Sequence, residues 1–328
     1  MKNILRKLLT GLLLGFIVFL AVALFGDIRQ VGSRLKGFDW RLVPLILGCT
    51  LFNYLLRFGK WHYYLGLIGI RDLPTMESAR IFVAGFPLAV TPGKVGEALK
   101  GLWLNDATGI AVALGVTVVL AERISDGLAV LALSTLGVIA YPRYWPAFAA
   151  VLGILILFII ITQIRPLALW LIKFSERLPV VNRFSALILD FYEGTYTLFR
   201  PAPVIIAVTM GTVAWLGEGI ALYLILLGLG EPPGWEPFSL AVFTLAFSTV
   251  IGAVSALPGG LGAAEASIAG MLTLLAGLSA DNAAAATLLI RFATLWFGVA
   301  LGLVVWGFSR RTLLLEGQEE GSPAQGDP

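Results

Sequence analysis

Cysteine, histidine and charged residues are all scarce in this sequence of 328 residues. Cysteine and histidine occur once each, as Cys49 and His62. One cysteine excludes a disulfide framework, and the two residues offer too few ligands for a structural zinc site. The chain also has no nucleotide-binding motif that would indicate ATP-driven chemistry. We therefore expect no metal and no cofactor.

Charged residues make up only 13% of the chain, whereas 58% of the residues are hydrophobic. The mean hydropathy is +0.90, and many apolar runs are longer than a buried core helix needs. The runs are unbroken rather than alternating, which argues against a β-barrel. The net charge is only +3, and the sequence contains no basic domain, so we expect no nucleic-acid partner. The composition predicts an all-α, polytopic protein of the cell membrane.

The apolar runs predict about eight membrane segments. Two of them, 79–104 and 238–277, are interrupted by Pro-Gly motifs, and broken backbone at membrane depth survives only inside protein or beside water. The halves of 79–104 are too short to span, which favours a re-entrant hairpin. The halves of 238–277 each have about 20 residues, so an ordinary turn between two spans stays open. The six uninterrupted segments are 8–26, 42–68, 110–140, 144–164, 203–228 and 283–309.

Segment 165–200 differs from the other segments because charge is spread along it. Its apolar residues recur in steps of three and four, which is typical of an amphipathic helix in the membrane interface. The segment would link repeat halves at 42–164 and 203–309 within one membrane domain, 1–311. The polar tail, 312–328, is expected to be disordered.

The basic residues predict the orientation of the chain. Segment 165–200 carries five lysines and arginines, so it should be cytoplasmic, as should the C-terminus after Arg310 and Arg311. The first interrupted segment then opens to the cytoplasm and the second opens outward, which is the pattern of an inverted repeat. Loop 27–41 conflicts with this topology, because its four basic residues would lie outside if Met1 is inside.

The two Pro-Gly motifs are nearly the same. PGKVGE begins at Pro92 and PGGLGAAE begins at Pro258, and each motif ends on a glutamate that precedes an arginine by 26 positions. A duplicated broken element is a common indication of the central site of a transporter. The predicted helix breaks are Pro92, Gly93, Gly96, Pro258, Gly259, Gly260 and Gly262.

Several ionisable residues lie in or beside the apolar runs, where charge is costly and usually functional. Arg123 and Arg291 are natural ligands of a lipid phosphate, because the guanidinium group stays charged and matches phosphate oxygens. Glu122 and Asp126 are one helical turn apart and share a face. We predict that one partly hydrated cavity collects the substrate-binding residues. They are Lys94, Glu97, Glu122, Arg123, Asp126, Glu218, Glu265 and Arg291.

The acidic members of this set have two interpretations. Glu97, Glu218 and Glu265 would hold the arginines when substrate is absent, or they would bind a cationic part of a head group. In the alternative interpretation, each Glu–Arg pair is a buried salt bridge that fixes packing only.

The motifs resemble a known family. Residues 92–97, Pro-Gly-x-x-Gly-Glu, followed by Glu-Arg-x-x-Asp at 122–126, are similar to the lysylphosphatidylglycerol synthase transmembrane region, also called the flippase-like domain family. Leu-Pro-Gly-Gly-Leu-Gly at 257–262, with Glu265 and Arg291, is similar as well.

The resemblance covers roughly residues 5–310 and implies a translocase for a lipid with a modified or charged head group. In the multiple peptide resistance factor, a domain of this kind moves aminoacylated phosphatidylglycerol outward and precedes a soluble aminoacyl-transferase domain. This sequence stops shortly after its last predicted span, so we expect no synthase activity. The resemblance also implies a homodimer.

These observations predict a flippase or scramblase for a polar-headed, anionic or aminoacylated phospholipid or a lipid-linked intermediate. An ion- or proton-coupled carrier of a small anion would use the same residues, but it needs a closed protein wall where a lipid carrier needs an opening toward the bilayer. An intramembrane transferase is the third possibility, with Glu122 and Asp126 as its acid–base pair.

Overall fold

The computed structural model describes residues 2–91, 96–138, 145–175 and 185–308. Over these ranges the chain forms fourteen α-helices and no strand, so the all-α prediction is confirmed. In chain order the helices are α1 Lys2–Phe25, α2 Ile28–Gly37, α3 Val43–Leu67, α4 Thr75–Ala84, α5 Leu99–Thr108, α6 Val112–Val138, α7 Trp145–Gln163, α8 Arg165–Ser175, α9 Ser185–Leu198, α10 Pro201–Gly228, α11 Trp235–Val254, α12 Ala263–Leu274, α13 Ala280–Arg291 and α14 Phe297–Phe308.

Four helical stretches within the described ranges are long and apolar enough to cross a membrane. The bent pair formed by α1 and α2 would be a fifth span if it is counted as one, although the two helices differ in direction by 91°. A polytopic membrane protein is thereby confirmed, and the number of eight segments stays a prediction. The four stretches are Trp40–Leu67, Pro201–Gly228, Trp235–Val254 and Ala280–Phe308.

Helix α6 is long but carries three charged residues near its middle, Glu122, Arg123 and Asp126. Its 27 residues would extend about 40 Å, which is more than the hydrocarbon thickness. The helix packs against α5, α9, α10 and α11, so protein surrounds much of its surface. This central position allows α6 to carry charge that a lipid-facing helix would not tolerate.

The first interrupted segment consists of two short helices. Helices α4 and α5 have ten residues each, or about 15 Å, which is half the hydrocarbon thickness. They contact each other, and a 3₁₀ turn at Phe86–Val90 follows α4. Residues 92–95, which include the predicted breaks Pro92 and Gly93, lie outside the described residues. The lengths fit a re-entrant hairpin.

The second interrupted segment has unequal arms. Helix α11 has 20 residues, but α12 has only twelve because it begins after the 3₁₀ turn Pro258–Gly260 and ends at Leu274. The expectation of two arms of about 20 residues is therefore wrong for the second arm. One full-length helix and one short helix meet at the Pro-Gly motif.

The glycines of the second motif are required by its geometry. Gly259, Gly260 and Gly262 have φ angles of 61°, 68° and 88°, a region that side chains with a Cβ rarely adopt. A Cβ on Gly260 would also lie 3.0 Å from the Cα of Gly252. The 3₁₀ turn Phe86–Val90, which precedes the first motif, meets the second motif here, since a Cβ on Gly259 would lie 3.3 Å from a methyl group of Val90.

Residues 27–41 were expected to form a loop, but most of them form the amphipathic helix α2. The Asp27 carboxylate caps this helix by accepting a hydrogen bond from the Arg29 N–H at 3.1 Å. Arg34 then forms an ion pair with Asp281 at the start of α13. Three of the four basic residues of this region, Arg29, Arg34 and Lys36, are therefore on a helix that packs against α13. The periodicity of so short a segment did not predict this helix.

Segment 165–200 is described in two parts, α8 and α9. The Arg165 guanidinium joins them by an ion pair with Glu193 at 2.7 Å, and α9 packs against α6. The position of the segment in the membrane interface stays a prediction. The tail, 312–328, lies outside the described residues.

The two predicted halves share an order of elements. Each begins with a long helix, α3 or α10, continues with an interrupted pair and then enters a second long helical stretch. Helices α3 and α10 pack against each other more extensively than any other two described helices. This order fits a repeat, and the inverted relation of the halves stays a prediction.

Candidate functional site

The interrupted segments and the long helices line one cavity of about 140 Å³. Its wall includes residues of α3, α6, α10, α11, α12, α13 and α14, together with the breaks that contain Phe86 and Gly259. The cavity therefore lies where the two halves meet. The charged residues on its wall are Arg57, Glu97, Lys100, Arg123, Glu218 and Arg291.

The first motif contributes a glutamate that is paired with α6. The Glu97 carboxylate lies 2.8 Å from the Arg123 guanidinium, and the side chain of Arg123 keeps 27% of its surface exposed. Next to this pair, the Gly96 N–H donates a hydrogen bond to the Thr91 hydroxyl at 2.9 Å. A Cβ on Gly96 would lie 2.7 Å from that hydroxyl, so only glycine fits without movement. The break thus places Glu97 opposite Arg123.

The second motif contributes a glutamate that is paired with α13. The Arg291 Nε donates to one Glu265 carboxylate oxygen, and the Gly262 N–H donates to the other at 2.7 Å. Arg291 also donates to the Gly259 carbonyl at 3.0 Å. Glu265 therefore caps the first turn of α12 and fixes Arg291 at the same time.

Asp126 is surrounded by cations. Lys60, which is fully buried, donates to one of its oxygens and lies 3.1 Å from the Ser125 hydroxyl. Arg57 lies 3.5 Å from the other oxygen, and Arg123 lies 3.8 Å away on the same helix. Three positive groups from two helices therefore share this carboxylate, which compensates for its removal from water.

Glu122 has a different partner, although it lies one turn from Asp126. Its carboxylate lies 3.3 Å from the Lys100 ammonium group, and both side chains are buried. The ammonium also lies 4.8 Å from the Trp61 ring centre and 4.9 Å from that of Phe82, close enough for cation–π attraction. Glu122 is therefore held in a buried ion pair whose cation lies against two aromatic rings.

Glu218 lies near the middle of α10 and reaches the cavity with 5% of its surface exposed. Within the described parts of the chain, its carboxyl group forms no hydrogen bond and no ion pair. It differs in this respect from Glu97, Glu122, Asp126 and Glu265, each of which pairs with a cation.

The structure thus brings most of the predicted site residues together. Glu97, Arg123, Glu218 and Arg291 line the cavity, whereas Glu122, Asp126 and Glu265 lie behind its wall and hold wall residues through ion pairs. Lys94 lies outside the described residues. That these residues bind substrate stays a prediction.

Three basic residues of the site were missed by the sequence analysis. They are Arg57, Lys60 and Lys100, and all three lie within ion-pairing distance of an acidic residue of α6. The two lysines are buried, and the Arg57 side chain is 11% exposed. Arg57 and Lys60 stand three positions apart in the apolar run 42–68, which was an available signal. Within the described residues, no group of His, Cys, Asp and Glu is arranged to hold a metal ion.

Residues 9–302 match the model of the family described as the lysylphosphatidylglycerol synthase TM region. The chain belongs to this family. The match includes both Pro-Gly motifs and the pairs Glu97/Arg123 and Glu265/Arg291, so the resemblance that the motifs indicated is confirmed. Together with the long apolar helices, family membership identifies an integral membrane protein.

Two other membrane proteins are similar in sequence to this chain over most of their own length. A UPF0104 membrane protein of Methanothermobacter thermautotrophicus is 26% identical over 313 residues, which cover 89% of this chain and 90% of that protein. The UPF0104 membrane protein MJ1078 of Methanocaldococcus jannaschii is 24% identical over 245 residues, covering 71% of this chain and 97% of that protein. Both names state a membrane protein and specify no substrate.

Proposed function

We propose that this family member is a lipid translocase, a flippase or scramblase, that moves a lipid with a phosphate-containing polar head group. One observation carries the proposal. Two arginines, one following each Pro-Gly motif, line a single cavity inside an apolar helical protein. Each of these guanidinium groups forms an ion pair with a glutamate, Arg123 with Glu97 and Arg291 with Glu265.

The geometry supports an exchange of partners at Arg123. The Arg123 side chain is the more exposed of the two, at 27% against 13% for Arg291. A phosphate group would bind the exposed part of the Arg123 guanidinium and compete with Glu97 for it, since phosphate and carboxylate match the same planar fork.

The size of the cavity limits what it holds. A space of about 140 Å³ admits a phosphate group together with several waters. In our proposal the phosphate region of the head group enters the cavity while the acyl chains stay in the bilayer.

Liposomes that contain labelled phospholipids with different head groups test this function. We expect transfer between leaflets for wild type and loss of transfer for Arg123→Ala and Arg291→Ala at equal protein content. Arg165→Ala is the matched control, because Arg165 forms an exposed ion pair with Glu193 away from the cavity. If Arg123→Ala and Arg291→Ala both transfer lipid at the wild-type rate, the proposal is wrong.

A carrier of a small anion is the second candidate, and the small cavity volume favours it. The same liposomes, loaded with a labelled phosphodiester that has no acyl chain, separate the two functions. Flux of the soluble anion without lipid transfer identifies the carrier. Lipid transfer without flux identifies the translocase.

We also propose that the chain performs no group transfer of its own, because Glu122 and Asp126 are both engaged with buried lysines. Arg310 and Arg311 support a cytoplasmic C-terminus in the cell membrane. A reporter fused to the C-terminus, active only in the cytoplasm, tests this orientation.

A further inference from the structure

The described residues around the cavity include five cations and five carboxylates, and four of the cations each have a different carboxylate as their nearest partner. Lys60 pairs with Asp126, Lys100 with Glu122, Arg123 with Glu97 and Arg291 with Glu265. The fifth cation, Arg57, shares Asp126 with Lys60 and lies 5.8 Å from the Trp215 ring centre. The fifth carboxylate is Glu218, which forms no ion pair with any described residue.

A buried carboxylate without a bonded cation is unstable, and the usual remedies are protonation or the binding of a positive group. The ionisable groups that interact with Glu218 are Arg57 and Tyr54 of α3, Asp126 of α6 and Arg291 of α13. Helix α11 also packs against α10, but it lines the cavity with Ser248, Thr249 and apolar or small residues only. Arg57 and Arg291 attract the ionised form, and Asp126 repels it.

An anion that enters the same cavity would repel an ionised Glu218. Its binding to Arg123 or Arg291 is therefore favoured when the Glu218 carboxyl carries a proton. Since Glu218 shares the cavity wall with both arginines, the two events occur in one confined space where charges interact strongly.

We propose that Glu218 is the proton-binding residue of the cavity and that binding of a phosphodiester anion is coupled to the uptake of one proton at this carboxyl. This inference rests on the proposed anion-binding function. One O–H bond forms on the Glu218 carboxyl with a proton taken from water, and the same bond breaks when the anion leaves. A proton gradient across the membrane would then favour loading on the acidic side and release on the alkaline side.

The test measures the affinity of the full-length purified protein for two probes between pH 5.5 and pH 8.5. Short-chain phosphatidylglycerol represents the lipid head group, and dimethyl phosphate represents the free anion. Both are phosphodiesters whose own charge is constant over this range. We expect the affinity for both probes to fall by up to about tenfold for each unit by which the pH rises. In weakly buffered solution, one proton should be taken up per bound anion.

Variants of Glu218 locate the coupling. Glu218→Gln resembles the protonated form, so it should bind at every pH and lose the pH dependence and the proton uptake. Glu218→Asp keeps a titratable carboxyl and should keep both. Glu193→Gln is the control and should match wild type, because the Glu193 side chain is 43% exposed and pairs with Arg165 away from the cavity.

Three results would overturn the inference. Glu218→Gln could keep the pH dependence of the wild type, which would place the proton elsewhere. Loss of binding of both probes in a folded Glu218→Gln protein would mean that a neutral side chain at this position does not favour the anion. Failure of wild type to bind either probe would remove the anion site itself. The first two results leave the proposed function standing if Arg123→Ala and Arg291→Ala still lose transfer.

Discussion

Glu265 and Arg291 are joined by an ion pair that also fixes the backbone of the second Pro-Gly motif. The glutamate accepts from the Gly262 N–H, and the arginine donates to the Gly259 carbonyl. Two residues separated by 26 positions thus hold both sides of one break. The equivalent pair in the first half, Glu97 and Arg123, leaves its arginine more exposed to the cavity. The pairs are alike in sequence spacing but differ in how tightly they are held.

This difference predicts different effects for lysine at the two arginine positions. Arg123→Lys keeps the charge but loses the planar fork, so lipid transfer should fall by about tenfold or more while thermal stability changes little. Arg291→Lys should lower both, because the backbone contact with Gly259 is lost as well. Transfer rates in liposomes and melting curves in detergent measure the two effects. Equal melting temperatures for the two variants would contradict the structural distinction.

Removal of Glu265 should destabilise the fold. Glu265→Ala leaves the Arg291 guanidinium with one backbone partner and uncaps α12, and loss of one member of a buried pair costs about 3–5 kcal/mol. The melting temperature should fall clearly. Arg34→Ala is the comparison, since Arg34 is half-exposed and its pair with Asp281 should contribute less than about 1 kcal/mol. A larger effect at Arg34 than at Glu265 would be inconsistent with this assignment.

The buried pair of Lys100 and Glu122 should couple strongly. Lys100→Met leaves the Glu122 carboxylate buried without its cation and should cost about 3–5 kcal/mol. The double variant Lys100→Met/Glu122→Leu removes both charges and should recover much of this loss. A double-mutant cycle from unfolding measurements gives the coupling energy. If the double variant is as unstable as the sum of the two single variants, the pair is not the source of the cost.

Gly260 should tolerate no side chain. Gly260→Ala places a Cβ on a backbone with φ of 68° and 3.0 Å from the Gly252 Cα, so about 1–3 kcal/mol of stability should be lost. Gly270→Ala in α12 is the matched control, because its Cβ would meet no atom within 4 Å. There the substitution should be neutral or stabilise by up to about 1 kcal/mol. Melting temperatures of the two variants decide the comparison.

Most of the helical spans followed from hydrophobicity along the chain. The predicted segments 42–68, 203–228 and 283–309 agree with helical stretches that are apolar and long enough to cross a membrane. Residues 27–41 and the short α12 were not predicted. In both places a local feature sets where the helix begins. Asp27 caps α2, and a 3₁₀ turn precedes α12, and neither feature is visible in the hydrophobicity of the sequence.

The sequence alone determined the membrane class, the two breaks and the equal spacing of the Glu–Arg pairs, because hydrocarbon penalises charge and broken backbone wherever they occur along a span. Only the tertiary structure decided which cation meets which carboxylate. Arg57, Lys60 and Lys100 reach the acidic residues of α6 from other helices, and Glu218 reaches the cavity without an ion-pair partner among the described residues. Such pairing depends on how the helices rotate and pack, and spacing along the chain does not specify that.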